Sequence, residues 1–330
     1  MARLRAAAGV SLALIALHGV GVAGQLPLGR AEPEGVAELA EACGVAAQEA
    51  VCWELALAAL AVQRGVGLAS ALGSDIPGTA STVGLRLGST PRLSLSVGAA
   101  GAWVGRPFVG ADAGALGRSM TATGLRGAAA IGVSEGIRFG PGIGGFLSLD
   151  ATLHLSRIWL PRGAGFESPS TGVGIGGRIG ILSESFTTPG ISVSVARRWQ
   201  GTVTVADSAG GSGNEIEAGV EVTSIRGVVG KNWFVVGLMA GVGWDSYGGD
   251  AAVRIAGSPG AETGPSGRVA SSRALYFAGG WLNFLVSQLS AEFGVADGAL
   301  DPLDGVADRQ RGYDPTRRDY FLLVSMRVTP

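Results

Sequence analysis

Charge is scarce in this chain. Only 15% of its 330 residues are Asp, Glu, Lys or Arg, against ~25% in ordinary soluble domains. Mean hydropathy is correspondingly high, at +0.35. Yet long apolar runs are lacking beyond the first residues. The nearest candidate, "LALAALAV" at 55–62, falls far short of the ~18 uninterrupted apolar residues of a membrane helix. Cysteine is limited to Cys43 and Cys52, with no CxxC or Cys/His spacing, which argues against a zinc site. A net charge of −1 gives no reason to expect a nucleic-acid partner. Gly-rich runs such as "GVGIGGRIG" sit in strand-like sequence. A dinucleotide loop needs a strand–turn–helix setting, so no cofactor is indicated.

The N-terminus supplies the first positive signal. "MARLRAAAGVSLALIALHGVGVAGQ" has a basic start, an apolar centre and small residues Ala23 and Gly24. That is the layout of a secretory signal peptide over residues 1–24, with an uncleaved anchor as the alternative. Its removal takes two of the 25 bases and none of the 26 acids, leaving a balance near −3. Residues 25–60 read as a short helical segment on the periplasmic side. It carries both cysteines, which favour a disulfide in an exported, oxidised chain. A continuous helix would hold their Cα atoms ~13 Å apart, so a bridge requires a break near Gly44.

From residue 61 onward the pattern is period two. In "FLSLDATLHLSRIW" (146–159), Leu147, Leu149, Ala151, Leu153 and Leu155 alternate with Ser148, Asp150, Thr152, His154 and Ser156. Alternation means a strand with one oily and one polar face. Twelve such segments are expected, near 61–72, 80–88, 92–104, 121–134, 143–158, 171–182, 190–206, 214–229, 232–246, 268–284, 287–297 and 318–328. Numbered from the first, odd connections tend to be long and even ones short. A transmembrane barrel with short periplasmic turns and long outer loops has this parity; a soluble sandwich has no reason for it. Trp103, Trp159 and Trp244 end oily sets beside long loops, as an aromatic girdle would.

These features together resemble bacterial outer-membrane β-barrel proteins, over about residues 61–330. The resemblance implies an all-β, antiparallel transmembrane barrel of about 12 strands, with outer-membrane lipid, lipopolysaccharide and the barrel-assembly machinery as partners. The last strand ends "RVTP", without the terminal aromatic residue usual in the class. In "ISVSVARRWQ", Arg197 falls on the oily face; a bulge near it or a wrong register would explain it.

By parity the lumen face collects Arg86, Arg126, Asp150, His154, Arg178, Arg198, Glu215, Glu217, Glu221, Asp245 and Glu292. Such a lining suits a passive, porin-like channel for small polar solutes. The alternative is a salt-bridge network filling a closed barrel that acts structurally or through its loops. His154 and Ser156 form H-x-S, a spacing shared with outer-membrane phospholipases, so a lipid hydrolase is a distant third reading. The expected Ser-Asn-Gly context is missing and the pair points inward, so no enzyme is expected. Asp297, Asp301, Asp304, Asp308 and Asp314 crowd the last loop, but their spacing does not match a calcium loop.

Overall fold

The computed structural model describes residues 33–43, 49–86, 90–109, 119–140, 144–167, 169–207, 213–256, 264–298 and 313–329. The expected signal peptide at 1–24 lies outside them.

Two helices open the fold, α1 (Val36–Ala42) and α2 (Glu49–Ser70). Two short strands, β1 (Leu85–Arg86) and β2 (Thr90–Pro91), pair only with each other. Ten strands then form one closed antiparallel barrel. They are β3 (Leu93–Gly105), β4 (Ser119–Ser134), β5 (Ser148–Trp159), β6 (Ser170–Leu182), β7 (Gly190–Ala206), β8 (Glu215–Trp233), β9 (Val236–Arg254), β10 (Ser266–Asn283), β11 (Ser287–Ala296) and β12 (Asp319–Val328). Each pairs with its sequence neighbours, and β12 closes on β3 with Tyr320 opposite Trp103.

The expectation of twelve strands is therefore corrected to ten. The segment near 61–72 is the C-terminal half of α2, and the one near 80–88 contributes only the two-residue β1. Leu and Ala are strong helix formers, and from Leu55 onward α2 is buried and, apart from Gln63, Arg64 and Ser70, apolar. It therefore shows no amphipathic stripe that would separate it from a buried strand. Both lost strands precede the barrel. Removing an even number leaves each remaining connection on the same side of the barrel, although β4–β5, at 135–147, is as long as β3–β4.

The barrel is oily outside and polar inside. Leu95, Leu125, Leu153, Leu155, Ile175 and Val324 are exposed, while Asp150, Thr152, His154, Arg178 and Arg198 are buried. Alternation with this sense suits a lipid surround, because the closed sheet satisfies its backbone internally. The wall is uneven in height. β8 and β9 run for 19 residues each, but β11 and β12 for 10. Register breaks occur at Gly132/Ser134, Gly180/Leu182 and Gln200/Val203. None falls at Arg197. That residue keeps its outward position, pairs with Glu221 at 2.9 Å and stacks over Trp199.

Candidate functional site

The lumen is occupied by the chain itself. α2 is 22 residues long, about 33 Å, and packs against β3, β4, β5, β7, β8, β9 and β10. By length and composition it could cross a membrane, yet it lies inside the barrel. Residues 49–60, expected within a separate periplasmic segment over 25–60, belong to α2 inside the barrel; residues 25–32 and 44–48 lie outside the described ones. α1 packs on β10 at the long-loop end, where Glu34 bridges Ala270. The chain then descends through the barrel. Gln63 Nε2 donates to Gly249 O (2.9 Å) high on the wall, and Val83 N donates to Asp150 at the short-turn end. Small residues make the fit possible. A Cβ added at Gly67 would come within 2.3 Å of the Tyr247 ring.

Wall arginines hold the end of α2. The carbonyls of Ala71, Leu72 and Gly73 follow the helix's last residue, Ser70, and need partners inside the lumen. Arg226 donates Nη2 to Ala71 O (2.6 Å) and Nε to Gly73 O (3.0 Å), and Arg126 donates to Leu72 O. Arg273 donates Nη2 to Arg64 O at 2.9 Å. Four buried ion pairs accompany these bonds: Arg178–Asp150, Arg198–Asp75, Arg226–Asp245 and Arg273–Asp319. Asp75 belongs to the threaded segment, so its pair joins plug to wall. Ser194 also donates to Asp75. Ser74 places its backbone N–H on Glu292 Oε2 (2.7 Å) and its hydroxyl on Oε1 (2.6 Å).

Arg126, Asp150, His154, Arg178, Arg198, Asp245 and Glu292 all point inward and are buried. Arg86 lies on β1, outside the barrel sheet, and its side chain is outside the described ones. Glu215, Glu217 and Glu221 do not line the lumen; this placement is corrected. The inward set of upper β8 is Ile216, Ala218, Val220 and Val222, all buried, because that stretch packs on α2. The glutamates face out, where Glu215 meets Arg254 at 3.0 Å. Trp103 and Trp159 are 44% and 39% exposed on the outer face, and Trp244 is half-buried there.

Arg64, Asp75, Arg226, Tyr247, Arg273 and Asp319 escape sequence reading. Arg226 and Glu221 stand five positions apart, so they fall on opposite faces of an unbroken strand. Placing the glutamates inside forced Arg226 outside. Ser224, buried two positions before Arg226, marks the true inward set.

Among the described residues, His154 and Ser156 hydrogen-bond to other side chains and not to each other. His154 Nε2 lies 3.1 Å from Thr152 Oγ1, while Ser156 Oγ accepts from Gln200 Nε2. A nucleophile needs its base within reach. Among the described residues no His, Cys, Asp and Glu group could hold a metal. Asp301, Asp304 and Asp308 lie outside the described residues; Asp297 accepts from Arg318 and Asp314 from Thr316.

Cys43 and Cys52 form a disulfide with Cα atoms 5.7 Å apart, tying α1 to α2. A Cys43→Ser/Cys52→Ser variant should keep the heat-modifiable gel shift of a folded barrel. The bridge spans nine positions and lies outside the strands, so its entropic contribution stays local. Loss of the shift would show that the barrel depends on this clamp.

No family model matches the chain, and no curated protein does. Solved structures do. The translocator domain of the autotransporter NalP from Neisseria meningitidis aligns at 12% identity, over 72% of this chain and 87% of that one, with a TM-score of 0.40. The attachment invasion locus protein Ail of Yersinia pestis aligns at 10%, over 72% and 97%, with a TM-score of 0.29. The toluene transporter TodX of Pseudomonas putida aligns at 10%, over 77% and 95%, with a TM-score of 0.30. These proteins differ in role, and the likeness is one of fold. By its closure and its inside-out faces, the chain has the antiparallel β-barrel fold of bacterial outer-membrane proteins.

Proposed function

We propose that this is a closed outer-membrane barrel, plugged by its own N-terminal helix, that works through the surface at its long-loop end. One observation supports it most: α2 and residues 71–84 fill the lumen and are hydrogen-bonded to the wall along their course. A porin-like path for small polar solutes would have to displace that segment and strip Asp75 from Arg198. The α1–α2 clamp and the long loops present the surface, and the protein is not an enzyme. Export through the periplasm, assembly by the barrel-assembly machinery, and contact of the outer face with outer-membrane lipid and lipopolysaccharide belong to the same proposal.

Purified protein in a planar bilayer should be silent at voltages where open porins give discrete steps. Steady discrete conductance from the unmodified protein would reject the closed barrel and restore the channel reading.

A further inference from the structure

The short-turn end of the barrel is built unlike a water-facing rim. Tight hairpin turns favour Gly, Asn and Asp, which accept left-handed backbone and hydrate well. Here the three short connections, 183–189, 234–235 and 284–286, expose large apolar side chains instead. Phe186 is 87% exposed and Phe234 84%, and Leu285 is fully exposed; the longer β4–β5 connection adds Phe139, 67% exposed, next to the Arg138–Glu135 ion pair. Phe234 takes this place in a two-residue turn at φ 57°, a conformation unfavourable for a bulky residue.

The polar groups of these turns are satisfied by one another. Lys231 Nζ, from the β8–β9 hairpin, donates to the carbonyls of Ser185, Phe186 (2.9 Å) and Thr188 (3.2 Å) in the β6–β7 turn. In return Glu184 accepts from the backbone N–H of Asn232. Asn283, from β10, donates Nδ2 to Asn232 Oδ1 (2.7 Å) and its backbone N–H to Val235 O (2.7 Å), and Gln288 donates to Asn283 Oδ1 at 2.8 Å. Three neighbouring turns are thus stapled together, with carbonyls turned onto side chains. Irregular backbone near hydrocarbon needs this kind of internal satisfaction.

We propose that this rim is immersed in lipid: the short turns insert into the headgroup–acyl boundary of the near leaflet. The occupant follows from continuity with the lipid-facing band. β5 has 12 residues from Ser148 to Trp159. With a rise of ~3.3 Å per residue and a tilt of ~40°, it spans about 28 Å of height. An outward apolar band is ~25 Å tall. A membrane whose upper edge lies at Trp103 and Trp159 therefore has its lower edge at the turns. The outward set stays apolar to that edge, through Leu93, Val133, Ile181, Val236, Leu282 and Leu289.

This inference rests on the barrel spanning a bilayer, and the test separates the two. With both native cysteines in the disulfide, a single introduced thiol takes a nitroxide label. Phe186→Cys, Phe234→Cys and Leu285→Cys are labelled in protein reconstituted into phosphatidylethanolamine–phosphatidylglycerol vesicles. Leu153→Cys serves as the lipid reference and Glu217→Cys as the water reference. The ratio of collisions with oxygen to collisions with a water-soluble nickel chelate should be several-fold higher at the turn sites than at Glu217. Nickel access at the turns equal to that at Glu217, with Leu153 protected, would overturn the immersed rim alone. Nickel access at Leu153 as well would overturn the spanning barrel and the rim together. Three sites guard against one variant failing to fold, which the heat-modifiable gel shift would reveal.

Discussion

Replacing Arg226 with Ala should destabilise the barrel by about 3–5 kcal/mol, the cost of breaking one buried ion pair. Arg226 is 1% exposed and lies 2.7 Å from Asp245. Without it the Asp245 carboxylate keeps, among the described residues, the Tyr247 hydroxyl, which donates at 2.8 Å. The carbonyls of Ala71 and Gly73 also lose their donor. Urea unfolding in lipid vesicles measures the cost. A second variant, Arg226→Met with Asp245→Leu, separates charge from plug anchoring. It removes the uncompensated carboxylate, so it should recover much of the loss. It leaves the Ala71 and Gly73 carbonyls without their Arg226 donor, so recovery should be incomplete. A cost under ~1 kcal/mol for Arg226→Ala would show that water reaches Asp245 and that the lumen is wet.

The second large effect belongs to the outer face. Leu153→Arg should cost about 2–4 kcal/mol, since Leu153 sits near mid-height on β5 and charge at the bilayer midplane is penalised by that amount. Glu217→Gln, outward but above the girdle, should stay within about 0.5 kcal/mol. Thr152→Arg is no neutral control. Thr152 is buried, and a Cβ at Gly176 would lie 2.8 Å from its hydroxyl, so an inward Arg meets a filled lumen. Equal, small effects at Leu153 and Glu217 would mean that no lipid surrounds the barrel.

Local pattern carries most of the wall. Side-chain period two and turn chemistry are properties of a few consecutive residues, so the ten wall strands are legible in the sequence, and outside β8 so is the face that turns inward. The inward set of β5, from Ser148 to His154, is legible for the same reason. So is the outward position of Trp103 and Trp159, which follows from counting along one strand.

The lumen is decided elsewhere. Whether 61–72 is strand or helix depends on what surrounds it. A segment enclosed by a barrel is apolar all round, and periodicity then has nothing to report. The same enclosure inverts upper β8. Ile216, Val220 and Val222 turn inward because α2 is there to pack against, and Glu215, Glu217 and Glu221 turn outward as a consequence. The partner of Arg198 is Asp75, 123 positions away, and no local rule links them. Residue order thus specifies alternating strands and an inside-out barrel. That the barrel is full emerges only once the chain is folded, because the contents of a closed lumen are set by long-range packing and charge pairing.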